Sequence, residues 1–286
     1  MTVTDVRTPR DAPTRIVAVP RTPLSRLRWA VTDTWVVAQR DLVHWVRSPA
    51  QVFSGLLFPG MMVLLFGYVF GSAMTVENGG DYREFLMPGL FALVIIMGVG
   101  ETVTAVADDA GAGVTDRFRS IPMSRVGVVA GRCLADMMNS VMGLCVLVLC
   151  GLVVGWRAGG SLLESLAAVA LLLLLRISIV WIGIYLGLLV KTPEAAAAVW
   201  TPLFPIAMIS NAFVSPEQMP GWLRVVAELN PMSATVTATR ELFDNPGTGG
   251  TSWLSENALL MAVVWPALVT AIFFPLAVHR YRKMSR

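Results

Sequence analysis

The stretch that decides the fold is residues 113–132, "GVTDRFRSIPMSRVGVVAGR", where Arg117, Arg119, Arg125 and Arg132 stand between two long apolar runs. So much charge in one short segment of a hydrophobic chain separates two membrane crossings and marks one side of the bilayer.

Composition supports that reading. The 286 residues are 55% hydrophobic and 14% charged, and the mean hydropathy is +0.66, far from soluble domains. A helix needs roughly 20 mainly apolar residues to cross the hydrocarbon, since its backbone polar groups must be satisfied within the segment. Six stretches qualify: residues 52–72, 85–106, 126–155, 162–190, 195–214 and 257–278. The expected fold is an all-α integral membrane protein with six transmembrane helices, its transmembrane domain covering 52–278 and a basic cytoplasmic tail following at 279–286.

With the N-terminus inside, six spans return the C-terminus to the same side. Arg7, Arg10, Arg15, Arg21, Arg26, Arg28, Arg40, Arg47, the four arginines of 113–132, Lys191, Arg280, Arg282, Lys283 and Arg286 then fall inside. Only Arg83, Arg157, Arg224 and Arg240 fall outside. This satisfies the positive-inside rule and predicts a multi-pass plasma membrane protein with both termini cytoplasmic. The net charge of +3 is spread along one membrane face and carries no signal for nucleic acid. Arginine greatly outnumbers lysine, and Ala, Val and Gly abound, as GC-rich bacterial codons produce.

Residues 1–23 are rich in Pro, Thr and Arg and read as a mobile cytoplasmic tail. Over 24–48, Leu24, Leu27, Val31, Trp35, Ala38, Leu42 and Trp45 recur at helical spacing, predicting an amphipathic helix in the interface. Ser48-Pro49 ends it. "WRAGGS" joins the third and fourth spans in a tight outside hairpin, and "KTPE" joins the fourth and fifth inside. The longest outside segment holds two short helical candidates, 221–228 and 232–243, parted by Asn230-Pro231. Their apolar content favours re-entrant or interfacial helices over a solvated loop.

The chemistry that is missing narrows the function. Neither lysine follows a glycine-rich loop, so this chain holds no P-loop ATPase of its own. His44 and His279 stand far apart and give no metal site or catalytic triad. Cys133, Cys145 and Cys150 read as buried small hydrophobes. No enzyme activity and no cofactor are expected within the chain. Candidates for ionisable residues deep in the spans are few: Arg176 in "LLLLLRISIVW" is the most membrane-central charge, and Glu101 in "GVGETVTAV" lies toward the inner end of the second span. For Arg176, and likewise Glu101, the favoured role is structural, a pair at a helix or subunit contact or a side chain snorkelling to the surface; pairing with an acid on another span or facing a polar cavity is the alternative.

Two segments, "DRFRSIPMSRVGVVAGRCLAD" and "NAFVSPEQMPGWLRVVAELNPMSATVTATRELF", resemble the membrane subunits of type-2 ABC exporters, especially the daunorubicin-resistance, DrrB-like permeases. The first matches the family's intracellular run of acid, Arg, apolar, Arg, Ser, apolar, Pro, followed by Ser-Arg and Gly-Arg. The second matches its Ser-Pro, Met-Pro, Trp-Leu and Asn-Pro with a later Arg. The resemblance implies that Asp116, Arg117, Phe118, Arg119, Ser120, Ile121 and Pro122 form a coupling helix docking on a separate ATP-binding subunit. It implies two such subunits, carrying ATP and Mg, and a second permease as homodimer or heterodimer. It also implies an extracellular gate around Met219, Pro220, Trp222, Asn230 and Pro231. The function implied is the permease of an ATP-driven exporter for an amphipathic drug-like or lipid-like substrate. The alternatives are polysaccharide or glycolipid export and, from another class, an ATP-independent channel or scaffold.

Overall fold

The computed structural model describes residues 28, 31–36, 38, 39, 43, 47, 57, 59–70, 81–111, 125–190, 192–247 and 252–283. Residues 31–36 are helical, with Val31, Trp35 and Val36 exposed. Most of the amphipathic helix expected over 24–48 lies outside the described residues, as do the tail at 1–23 and the Ser48-Pro49 break.

The described residues are overwhelmingly helical. A short apolar helix, α1 (Pro59–Val69), covers part of the first expected span. Among the described residues, four helices are long and apolar enough to cross a membrane. They are α2 (Tyr82–Gly111), α3 (Arg125–Val154), α4 (Leu162–Gly187) and α10 (Ala258–Lys283). Each matches an expected span to within a few residues. The basic tail expected at 279–286 is not separate over its described part, because α10 continues through Lys283.

The fifth expected span, 195–214, differs. It consists of α5 (Pro193–Ala198) and α6 (Trp200–Met208), interrupted at Val199. Pro202 has no N–H to donate to the Ala198 carbonyl, which removes the hydrogen bond that would carry the helix through this point. Beyond Met208 the chain turns: Ser210 Oγ donates to the Ala207 carbonyl at 2.6 Å and accepts from Ala212 N at 3.3 Å.

α4 starts at a full capping box. Ser161 Oγ accepts from Glu164 N at 3.3 Å, and Glu164 Oε2 accepts from Ser161 N at 2.7 Å. The "WRAGGS" connection is tight and held, with Gly159 N donating to the Phe243 carbonyl at 2.8 Å. The cysteines are free and less buried than expected, Cys145 being exposed on α3 and the other two half-buried. In a single chain stripped of lipid, a small apolar side chain on the outer helix face is exposed.

α2 is the central helix and α4 its main partner. They approach closely because Gly183 and Gly187, spaced four apart on α4, offer no side chain to α2. A methyl group at Gly183 would stand 2.8 Å from Thr102 Cβ, and one at Gly187 would stand 2.7 Å from Val106 Cβ. In lipid, where expelling water does not drive helices together, such close contact supplies the association. A core of Leu86, Leu90, Phe91, Leu147, Leu172 and Leu175 fills the bundle above this contact.

Candidate functional site

Two polar constructions interrupt the apolar bundle. The first lies inside the spans. Arg176, near the middle of α4, is 2% exposed. Its guanidinium lies in a notch over Gly98 of α2, where any side chain would collide with Nη1 and Cζ. Nη1 donates to the Ile95 carbonyl at 3.4 Å and Nη2 to Thr102 Oγ1 at 3.3 Å. The Thr102 hydroxyl donates to Asp136 Oδ2 at 2.7 Å, and Arg132 Nη2 meets Asp136 Oδ1 at 3.1 Å. The order Arg176, Thr102, Asp136, Arg132 therefore ties α4, α2 and α3 together.

The acid opposite Arg176 is thus Asp136, reached through a hydroxyl. Glu101, one residue before Thr102 on α2, is exposed, and a helix turns about 100° per residue. The signal that marks Asp136 was present in the sequence, an acid one turn beyond Arg132 and well inside an apolar segment.

The second construction is the long segment before the last helix. α7 (Gly221–Leu229) and α8 (Pro231–Leu242) occupy the expected positions almost residue for residue. They differ in character. α7 exposes Trp222, Val225, Val226 and Leu229, while Arg224 Nε donates to Glu228 Oε1 at 2.8 Å, a hydrogen bond that raises the Arg224 guanidinium above its ordinary pKa. α8 is folded back into the bundle, with Met232, Val236 and Ala238 buried. Asn230 joins the two: Oδ1 caps α8 by accepting from Met232 N at 3.0 Å, and Nδ2 donates to the carbonyls of Ile206 at 3.2 Å and Ile209 at 2.7 Å. Pro231 takes the first position of α8, where no N–H is needed. Met219 ends the single 3₁₀ turn Pro216–Gln218, and Pro220 precedes α7.

Arg240, on α8, is the residue that sequence reasoning missed. Counted there among the outside arginines, it is 0% exposed. Nε donates to the Phe85 carbonyl at 2.9 Å, and Nη1 and Nη2 donate to those of Asn211 and Ala212 at 3.0 Å each. The guanidinium also lies 3.8 Å from the centre of the Phe85 ring. Its guanidinium thereby joins the first turn of α2 to the turn that follows α6. Beside it, Trp156 Nε1 donates to Asn245 Oδ1 at 2.9 Å, and Phe91, Trp156 and Phe243 pack edge to face.

Of the expected site residues, Asn230 and Pro231 build the joint of the folded-back segment and Trp222 lies on its exposed face. Asp116, Arg117, Phe118, Arg119, Ser120, Ile121 and Pro122 lie outside the described residues, between the end of α2 and the start of α3. Among the described residues, no three His, Cys, Asp or Glu side chains are grouped to hold a metal.

A multi-helix body whose long helices are apolar enough to cross a membrane, with a charged tie at its core, defines the class as that of a helical membrane protein. The ABC-2 type transporter family matches residues 32–243, and the chain belongs to it. It is 33% identical over 257 residues to the daunorubicin resistance ABC transporter permease protein DrrB1 of Streptomyces coeruleorubidus, covering 90% of this chain and 88% of that protein. It is 25% identical over 252 residues to a putative transport permease, ycf38, of Cyanophora paradoxa, covering 86% of each. It is 23% identical over 266 residues to the probable doxorubicin resistance ABC transporter permease protein DrrC of Mycobacterium tuberculosis H37Rv, covering 90% of this chain and 91% of that one. This chain is a membrane permease of that family.

Proposed function

We propose that this permease is the membrane half of an ATP-driven exporter that moves amphipathic, drug-like or lipid-like molecules outward. Hydrolysis takes place on separate ATP-binding subunits holding ATP and Mg, two of them serving two permeases. Closure of those subunits pushes on Asp116 to Pro122, with Phe118 and Ile121 as apolar anchors and Arg117 and Arg119 meeting carboxylates or lipid phosphates. Residues 112–124 leave α2 and re-enter α3, so a push there is delivered to the helices tied by Arg176, Thr102 and Asp136.

The reading includes six crossings, with α1 in the first and α5 and α6 in the fifth, and both termini in the cytoplasm of a plasma membrane. The arginine distribution supports that orientation. The outside segment then acts as the gate, hinged at Asn230 and Pro231, with Met219, Pro220 and Trp222 on its approach. Relatives named for daunorubicin and doxorubicin resistance support the substrate class.

The observation that carries the proposal is the family match over 32–243, which runs through the arginine-rich stretch and ends after α8. The test is co-expression with the ATP-binding protein encoded beside it, then co-purification and vanadate-sensitive ATPase and transport assays in vesicles. Phe118→Ala with Arg119→Ala is expected to abolish stimulation of the ATPase by the permease while leaving the permease in the membrane. Undiminished stimulation, or transport without any ATP-binding partner, overturns it.

A further inference from the structure

At the end of the bundle that holds the folded-back segment, α7, α8, α9 (Trp253–Glu256) and α10 enclose a small recess. Asn211 and Trp265 both line it, with Ser233, Thr237, Ser255 and Glu228. Its enclosed part is ≈ 10 Å³, room for about one oxygen-sized group. Asn211 is 3% exposed, and all its polar atoms but one are engaged. Its N–H donates to Ser233 Oγ at 3.1 Å, Nδ2 donates to Thr237 Oγ1 at 2.6 Å, and its carbonyl accepts from Arg240 at 3.0 Å. The remaining Oδ1 is buried and has no partner among the described residues, and the same holds for the indole Nε1 of Trp265.

A spare acceptor and a spare donor on two residues that line one recess are the complement of a hydroxyl, which donates once and accepts through its lone pairs. Leaving both buried groups unpaired is costly, so the recess is built for an occupant. We propose that it binds the hydroxyl of an uncharged amphipathic molecule, such as a glycerol or sugar headgroup. Charge is disfavoured because the acid in the lining, Glu228, is already matched by Arg224 at 2.8 Å, and no cationic side chain lines the space. The amphipathic form follows from α10, where Leu260, Val264 and Leu268 are exposed in a stripe beside Trp265 and offer a track for an acyl chain.

Binding needs neither ATP nor a partner, so it is tested on the permease alone and stands or falls apart from the exporter reading. The full chain is placed in nanodiscs of phosphatidylcholine, whose headgroup has no hydroxyl. The indole N–H resonances of its nine tryptophans are then observed by ¹⁵N labelling, with Trp265→Phe identifying the Trp265 peak. 1-Decanoylglycerol is expected to shift that peak saturably, and methyl decanoate, with the same chain and no hydroxyl, to leave it in place. Asn211→Leu is expected to raise the midpoint about 2- to 10-fold, the worth of one neutral hydrogen bond. Because Asn211 also supports Arg240, Ser255→Leu serves as a second variant that fills the recess without touching either spare group, and it is expected to abolish the shift. No shift with decanoylglycerol, meaning a recess that takes water only, overturns the proposal. So does an equal shift with methyl decanoate, or a larger one with phosphatidylglycerol.

Discussion

Arg240→Met tests whether the folded-back segment is part of the permease body. The substitution keeps length and apolar character but removes three donors, to the carbonyls of Phe85 at 2.9 Å and of Asn211 and Ala212 at 3.0 Å. Hydrogen bonds to a charged group contribute about 1.5–3 kcal/mol each, and those carbonyls have no water to turn to once Arg240 is gone. The three bonds share one side chain and are not additive, and methionine recovers some packing against Phe85, so the net loss is about 3–6 kcal/mol. For a chain of this size each kcal/mol moves the melting temperature by about 2–4 °C, which places the variant about 6–24 °C below the parent. The assay is the fraction of monodisperse protein recovered by size exclusion after heating in lipid nanodiscs. Arg240→Lys is expected to fall between the two, since one ammonium cannot span three carbonyls that a planar fork reaches. Arg224→Met, on the exposed face of α7, is the control and is expected to match the parent. If Arg240→Met melts with Arg224→Met, Arg240 does not clamp the segment and the burial argument fails.

Within the spans, Thr102→Val and Asp136→Asn are expected to destabilise singly and to show a coupling of about 1 kcal/mol or more in a double-mutant cycle read by the same melting assay, because the Thr102 hydroxyl donates its hydrogen bond to Asp136; strict additivity would break the proposed tie. Gly183→Val and Gly187→Val are each expected to cost about 1–3 kcal/mol by forcing α4 off α2, while Gly221→Val, where a side chain meets open space, leaves melting unchanged. Asn230→Ala removes the α8 cap and the ties to Ile206 and Ile209, and is expected to cost about 1–2 kcal/mol and to speed amide hydrogen exchange at residues 232–235; unchanged exchange there would deny Asn230 its hinge.

Hydropathy located α2, α3, α4 and α10 to within a few residues, because a helix surrounded by lipid must satisfy its own backbone and needs a long apolar run to do so. The break at Asn230-Pro231 located α7 and α8 just as well, since proline punctuation is local chemistry. The fifth stretch was apolar enough to read as one span, yet Pro202 and Pro205 within it were the available sign of the interruption found there. The Gly183 and Gly187 pair was also legible as a packing face, although its partner was not.

The sequence by itself determined that this is a polytopic helical membrane protein of the ABC-2 kind and where its long helices lie. Only the tertiary structure decided that Arg176 reaches Asp136 through Thr102 and that Arg240 is a buried clamp and no loop charge. Periodicity and hydropathy report each helix against its solvent, residue by residue. A hydrogen bond between residues 74 or 155 apart in the chain depends on which faces the packed helices present to each other, and that is settled only when the bundle closes.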